Sequence, residues 1–216
     1  MSRVEEAAAV YQWNPTIPDE VEGQLLIPLP DGFAVSEEWW DELIERHDLI
    51  RIELTRDRKL RCYMGTSEGS RISFWVSHQL GTWILAGGGG DGVESASEFI
   101  LTLAERKRPD GAWISPARLP DHSQPWRQSF RFVPDFIYEV RSPSQTVEQQ
   151  QEKMAEWIQA GVRLGWLIDP YDRSVWIYRA NGDVVQLDDP PELSGEEVCE
   201  GLVVDMSLVW GKASSP

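Results

Sequence analysis

Apolar residues recur at helical spacing in three stretches of the chain. After Ser36, which is suited to cap a first turn, Trp39, Trp40, Leu43 and Ile44 share one face. Within Ser70–Ala86, the side chains of Ile72, Trp75, Val76, Leu80, Trp83 and Ile84 line one side, and Gly87–Gly90 stops the helix. Thr146–Ala160 begins on a capping-box pair, Thr146 with Gln149, and ends at Gly161. The four glycines follow a helix, lack a GK[ST] sequence and precede no helix, so they read as a helix stop and not as a phosphate loop.

Strand-like runs separate these stretches. Leu49–Thr55 alternates apolar with polar, and Leu60–Met64 answers it across the turn Arg56–Lys59. Val93–Leu101, Gly111–Ile114 and Phe136–Arg141 follow, the last two separated by a loop at Ser115–Phe130. Leu164–Ile168 ends at Asp169-Pro170, and Ser174–Tyr178 and Asp183–Leu187 flank the hairpin pair Asn181-Gly182. The order predicts a mixed α/β (or α+β) fold in a single domain over 36–216. Residues 1–35 are Pro-rich and acidic, and read as an arm ordered where Leu25, Leu26, Ile27 and Leu29 pack.

Composition narrows the partners. Eleven Trp, 6 Phe and 5 Tyr in 216 residues are too much apolar surface for a disordered chain. Apolar runs such as Trp166–Ile168 fall far short of the ~20 residues a bilayer needs. No apolar signal segment is visible in the first residues, so a cytoplasmic location is expected, with no membrane partner. Cys62 and Cys199 have no CxxC neighbour, which leaves two free thiols rather than a disulfide or a zinc site. The net charge of −16 disfavours nucleic acid, but the acidity sits at the ends. Residues 49–180 hold 17 basic and 16 acidic groups, so the centre is free to meet a phosphate backbone.

The chemistry concentrates between Arg106 and Pro170. On an extended strand Phe136, Tyr138 and Val140 point one way, and Ile137, Glu139 and Arg141 the other. A carboxylate among apolar strand residues must be solvated, paired or metal-bound. Asp110, at the edge of a neighbouring strand, is placed to bring a second carboxylate to the same point. Two carboxylates with a backbone carbonyl and waters make an oxygen site suited to Mg²⁺. Such a metal clamps a phosphodiester, and a nearby lysine steadies developing charge. Asp135 competes, but four strand positions span roughly 13 Å at ~3.3 Å each, so Asp135 reads as the start of the strand.

Pro109-Asp110, Glu139-x-Arg141 and Lys153 resemble the PD-(D/E)-x-K nuclease pattern. The longer run PDFIYEVRSPSQ…EKMAEWIQAGVRLGWLIDP resembles a bacterial family of restriction-endonuclease-like nucleases, whose pattern is P-D-hydrophobic-E-V-x-S-P-S, then K-x-x-x-aromatic-x-x-x-G-V, then an aromatic strand ending in D-P. RPDGAWI, IELTRDRKLRCYMGT and LSGEEVCEGLVVDMSLVW extend the likeness over about residues 37–210.

The resemblance implies a restriction-endonuclease-like core, with 70–86 as first helix and strands at 93–101, 109–115 and 135–141. The second helix would be 146–160 and the closing strand 164–169. It implies a Mg²⁺- (or Mn²⁺-) dependent endonuclease hydrolysing phosphodiester bonds in DNA, with Asp110, Glu139 and the Val140 carbonyl as metal ligands and Asp110, Glu139 and Lys153 as catalytic residues. The sequence departs from the pattern at Arg141, where the usual residue is lysine; arginine stays charged and carries no proton, and the family supplies the lysine from the following helix, here Lys153. Lys153 lies one turn before Trp157 and two turns after Thr146, so it faces back toward the strand. A homodimer is expected by analogy with nucleases that cut both strands. The alternative is a catalytically silent interaction protein that keeps the nuclease fold, favoured by the acidic ends and the missing strand lysine. A carboxylate-pair hydrolase acting on sugars is a third reading.

Overall fold

Side-chain caps start the helices near the positions read from the sequence. Ser36 Oγ accepts from the Trp39 N–H at 3.1 Å and opens α1, Glu37–Arg46. The computed structural model describes residues 13–102, 105–119 and 129–211. Along the chain they fall into two compact units, bounded as Met1–Gly65 with Thr102–Lys107, and Thr66–Leu101 with Arg108–Pro216.

In the first unit β1 (Gln24–Pro28), β2 (Arg51–Leu54), β3 (Lys59–Tyr63) and β6 (Glu105–Lys107) run antiparallel in the order β1-β3-β2-β6. Arg58, at φ 62, turns the chain between β2 and β3. Trp40 and Leu43 of α1 bury against Ile52, Leu54 and Leu60. The Pro-rich stretch read as an arm contributes β1 and the buried side chains Ile17, Leu29 and Phe33.

In the second unit Thr66 caps α2, Ser67–Trp83, three residues earlier than the apolar spacing marks it. The helix closes in a wide turn at Ile84–Gly88, where Gly87 takes φ 117. The strand expected over 93–101 is two strands, β4 (Asp91–Glu94) and β5 (Glu98–Thr102). The small polar Ser95-Ala96-Ser97 forms a turn between them, with the Ser97 N–H donating to the Glu94 carbonyl at 2.9 Å. There follow β7 (Gly111–Ile114), β8 (Ser129–Phe130), β9 (Phe136–Val140), α3 (Val147–Ala160), β10 (Leu164–Asp169), β11 (Ser174–Arg179) and β12 (Val184–Asp188). The pair β13 (Glu192–Ser194) and β14 (Val203–Asp205) and the short helix α4 (Met206–Trp210) complete it. Of the expected loop at 115–130, residues 120–128, with His122, lie outside the described residues, as do the first twelve.

The central sheet runs β12-β11-β10-β9-β7-β4. In this sheet β9 and β10 pair in parallel, and α3 is the crossover that such parallel neighbours require. The alternation along β9 separates two cores as the sequence indicates. Phe136, Tyr138 and Val140 join Trp166 and Ile168 under Ile72, Val76 and Leu80 of α2. Ile137 and Leu167 join Met154 and Trp157 of α3. The mixed α/β sheet between helices is the expected fold class. Among the described residues no helix is long and apolar enough to cross a membrane.

Candidate active site

Register brings Asp110 and Glu139 together. β7 pairs antiparallel with β9 through Gly111↔Tyr138, so Asp110, one step before β7, stands opposite Glu139. Directly opposed residues share a face and bring their Cβ atoms within about 5 Å of each other. Asp110 Oδ2 accepts from the Val140 backbone N–H at 2.8 Å, fixing the carboxylate at the end of β9. Gly111 is what lets the chain pass here. A Cβ at this position would lie 2.4 Å from the Tyr138 ring. The Tyr138 hydroxyl is itself held by Ser77 Oγ at 2.7 Å and the Ser73 carbonyl at 3.1 Å, and burial pushes its phenol well above the usual range.

The helix supplies the counter-charge. Thr146 and Gln149 form the reciprocal capping box, and Gly161 closes α3 in the left-handed region. The buried stripe of α3 reads Gln150, Lys153, Met154, Trp157, two of its four members polar. Close approach at Gly165, where an added Cβ would sit 2.6 Å from Met154 Cε, lays this stripe on the sheet. Lys153 Nζ lies 2.9 Å from Glu139 Oε1, and Trp157 Nε1 donates to the same oxygen at 3.0 Å. Lys153 Nζ also donates to the Arg108 carbonyl at 3.3 Å, one residue before Pro109-Asp110. The Glu139 and Lys153 side chains are each 3% exposed. A carboxylate buried this deeply requires such partners.

Arg141 takes no part in that contact. Its Nε and Nη2 grip both oxygens of Asp169 at 2.6 and 2.9 Å, and its Nη1 donates to the Gln145 carbonyl at 3.0 Å. Its guanidinium lies 4.7 Å from the centre of the Tyr171 ring. The strand position where the nuclease pattern carries lysine is thus a fastening between β9, β10 and the start of α3.

Asp135 accepts from the Ser115 N–H at 3.0 Å and pairs with Arg118 and Arg163 at the start of β9. His78 is exposed and stacks on Phe74. Glu98 is buried with Ser129 and Arg108 as partners. Sequence reasoning did not single out Trp157 or Asp169 as parts of this cluster. The signal for the first was present, since Trp157 follows Lys153 by one helical turn on the same face.

Among the described residues no group of three or more His, Cys, Asp and Glu side chains is arranged to hold a metal ion. Asp110 and Glu139, taken with the Val140 carbonyl, are nonetheless an all-oxygen donor set of the kind Mg²⁺ accepts, because Mg²⁺ keeps several waters and needs only one or two carboxylates. By donor chemistry these residues fit a hard divalent cation.

No curated protein matches the sequence. A crystal structure of a protein described as a putative nuclease belonging to DUF820, from Anabaena variabilis ATCC 29413, superposes with a TM-score of 0.64 at 18% identity, covering 74% of this chain and 89% of that one. At that identity the likeness speaks for the fold. The sequence profile of the Uma2 family, described as "Putative restriction endonuclease", matches residues 37–207. That span takes in both strands of the carboxylate pair and the helix that carries Lys153, and the chain belongs to the Uma2 family.

Proposed function

We propose that the protein is a metal-dependent endonuclease that hydrolyses phosphodiester bonds in DNA. The observation that carries this reading is the contact of Lys153 Nζ with Glu139 Oε1 at 2.9 Å, on the sheet face where Asp110 stands opposite Glu139. Asp110, Glu139 and the Val140 carbonyl would hold Mg²⁺ or Mn²⁺. When bound, the cation supplies charge neutralisation at the phosphate and a more acidic water.

The chain's own residues do the rest. Asp110 and Glu139 set the cation's place through the register of two paired strands. Lys153, carried on a helix docked against the sheet, stabilises negative charge growing at the scissile phosphate and orients the attacking water. Arg141 holds the start of α3 against β9 and β10, so the ammonium stays aligned with the carboxylates. The expected setting is the cytoplasm, and a homodimer would let two such sites reach both strands of a duplex.

The test is cleavage of supercoiled and linear DNA with Mg²⁺, Mn²⁺ or EDTA, comparing wild type with Glu139→Ala and Lys153→Ala. Metal-dependent nicking that is lost in both variants supports the enzyme and the helix-borne lysine together. One observation favours a second reading, a catalytically silent interaction protein on the same fold. Glu139 and Lys153 neutralise each other at 3% exposure each, in a chain of net charge −16. Absence of cleavage by wild type, with no Mg²⁺ uptake by calorimetry, selects that reading.

A further inference from the structure

We infer that Trp157 is a positioning residue for Glu139: its indole N–H pins Oε1 on the α3 side and thereby sets the rotation of the carboxylate offered to a divalent cation. The inference rests on the nuclease reading given above.

Four observations carry it. The indole donates to Glu139 Oε1 at 3.0 Å, on the same oxygen that Lys153 reaches at 2.9 Å. Both donors come from one face of one helix, a turn apart, so a single docking of α3 places them together. Trp157 is also tightly enclosed. It is fully buried, its ring stands edge-on to Phe99 at 6.0 Å, and its carbonyl accepts from the N–H groups of Gly161 and Val162 at the helix end. The indoles of Trp39, Trp83, Trp113 and Trp210 donate to backbone carbonyls, as indoles commonly do when they only need a partner. The Trp157 indole instead meets the carboxylate proposed to hold the metal.

A flexible ammonium on a four-carbon stem restrains a carboxylate poorly, because it follows the oxygen. A rigid indole does not follow. Of the two donors, Trp157 is the one able to fix an angle, and Lys153 the one able to supply charge. Partners of metal ligands that act in this way change metal affinity by about 10–100-fold when removed.

The experiment measures Mg²⁺ and Mn²⁺ binding by calorimetry, and thermal stability, on the full chain as wild type, Trp157→Phe, and Trp166→Phe as a control that deletes a buried indole on the other face of the sheet. Trp157→Phe is expected to weaken binding of both cations at least ten-fold, with Trp166→Phe binding as wild type does. A second readout needs no folded Trp157 variant. In ¹H–¹⁵N spectra of the wild type the Trp157 indole resonance should shift on adding Mg²⁺, and should fail to shift in Glu139→Gln. Unchanged affinity in Trp157→Phe, or an indole resonance that ignores bound Mg²⁺, overturns the inference while leaving the nuclease reading intact. Absence of Mg²⁺ binding by wild type, with no cleavage, overturns both.

Discussion

Arg141 and Asp169 are joined by a two-pronged ion pair, at 2.6 and 2.9 Å, across the parallel pair β9 and β10. Asp169 is fully buried, and its Oδ1 also accepts from the Tyr171 N–H at 2.9 Å. Asp169→Ala therefore leaves a guanidinium without its fork and a loop without its anchor. The expected cost is about 3–5 kcal/mol, that of breaking a buried pair from one side. Urea denaturation monitored by tryptophan fluorescence measures it, and a loss below about 1 kcal/mol contradicts the assignment.

The same pair decides whether a strand lysine can serve. Arg141 is directed at Asp169 and Gln145, and a lysine at that position inherits the same acceptors. Lys153→Ala is expected to lower DNA cleavage by about 10²-fold or more. The double variant Arg141→Lys with Lys153→Ala is expected to stay as slow as Lys153→Ala alone. Recovery of the rate in the double variant would show that the helix position is dispensable.

Gly111 is required by Tyr138. A methyl group at 111 would lie 2.4 Å from the Tyr138 ring, which is itself fastened through Ser77. Gly111→Ala is expected to cost about 1–3 kcal/mol as an overpacked site. Tyr138→Leu in the same chain should recover part of it, since the two changes share one space. A double-mutant cycle on the two positions gives the coupling directly.

Cys62 and Cys199 are fully buried, and burial pushes each thiol from 9.0 up to about 12. Between those values the unfolded chain has released these protons and the folded chain still holds them. By linkage, stability is unaffected by the thiols below pH 9 and falls as pH rises above it, by at most about 1.4 kcal/mol per pH unit for each thiol. Denaturation midpoints at pH 8, 9.5 and 10.5 should decline accordingly, and the native protein at pH 8 should resist a thiol-labelling reagent that marks the unfolded chain at once.

The elements that carry the carboxylates and the lysine were legible because local signals fix them: the alternation from Phe136 to Val140, the capping box at Thr146 and the glycine at 161. The opposition of Asp110 and Glu139 was legible as an expectation because register follows from which faces are apolar. What was not legible was non-local. β6 and β14 are three-residue strands with no alternation to read, and β1 lies among prolines. The turn at Ser95–Ser97 hides in a run that alternates on paper as one strand. The bond from Trp157 to Glu139, and that from Arg141 to Asp169, link residues 18 and 28 positions apart, and exist only once α3 has folded back over β10.

The close seating of α3 on β10 at Gly165 has a further consequence. The spacing between Asp110 and Glu139 is held by backbone hydrogen bonds and by an antiparallel register, whereas the spacing between Glu139 and Lys153 depends, besides its own ion pair and the Trp157 hydrogen bond, on apolar contact, Met154 over Gly165 and Trp157 against Phe99. These two kinds of cohesion answer differently to temperature, since apolar association weakens on cooling and hydrogen-bonded ladders do not share that dependence. The carboxylate pair is thus a ruler cut into the sheet, and the ammonium is read against it through a seam whose tightness the cold can loosen.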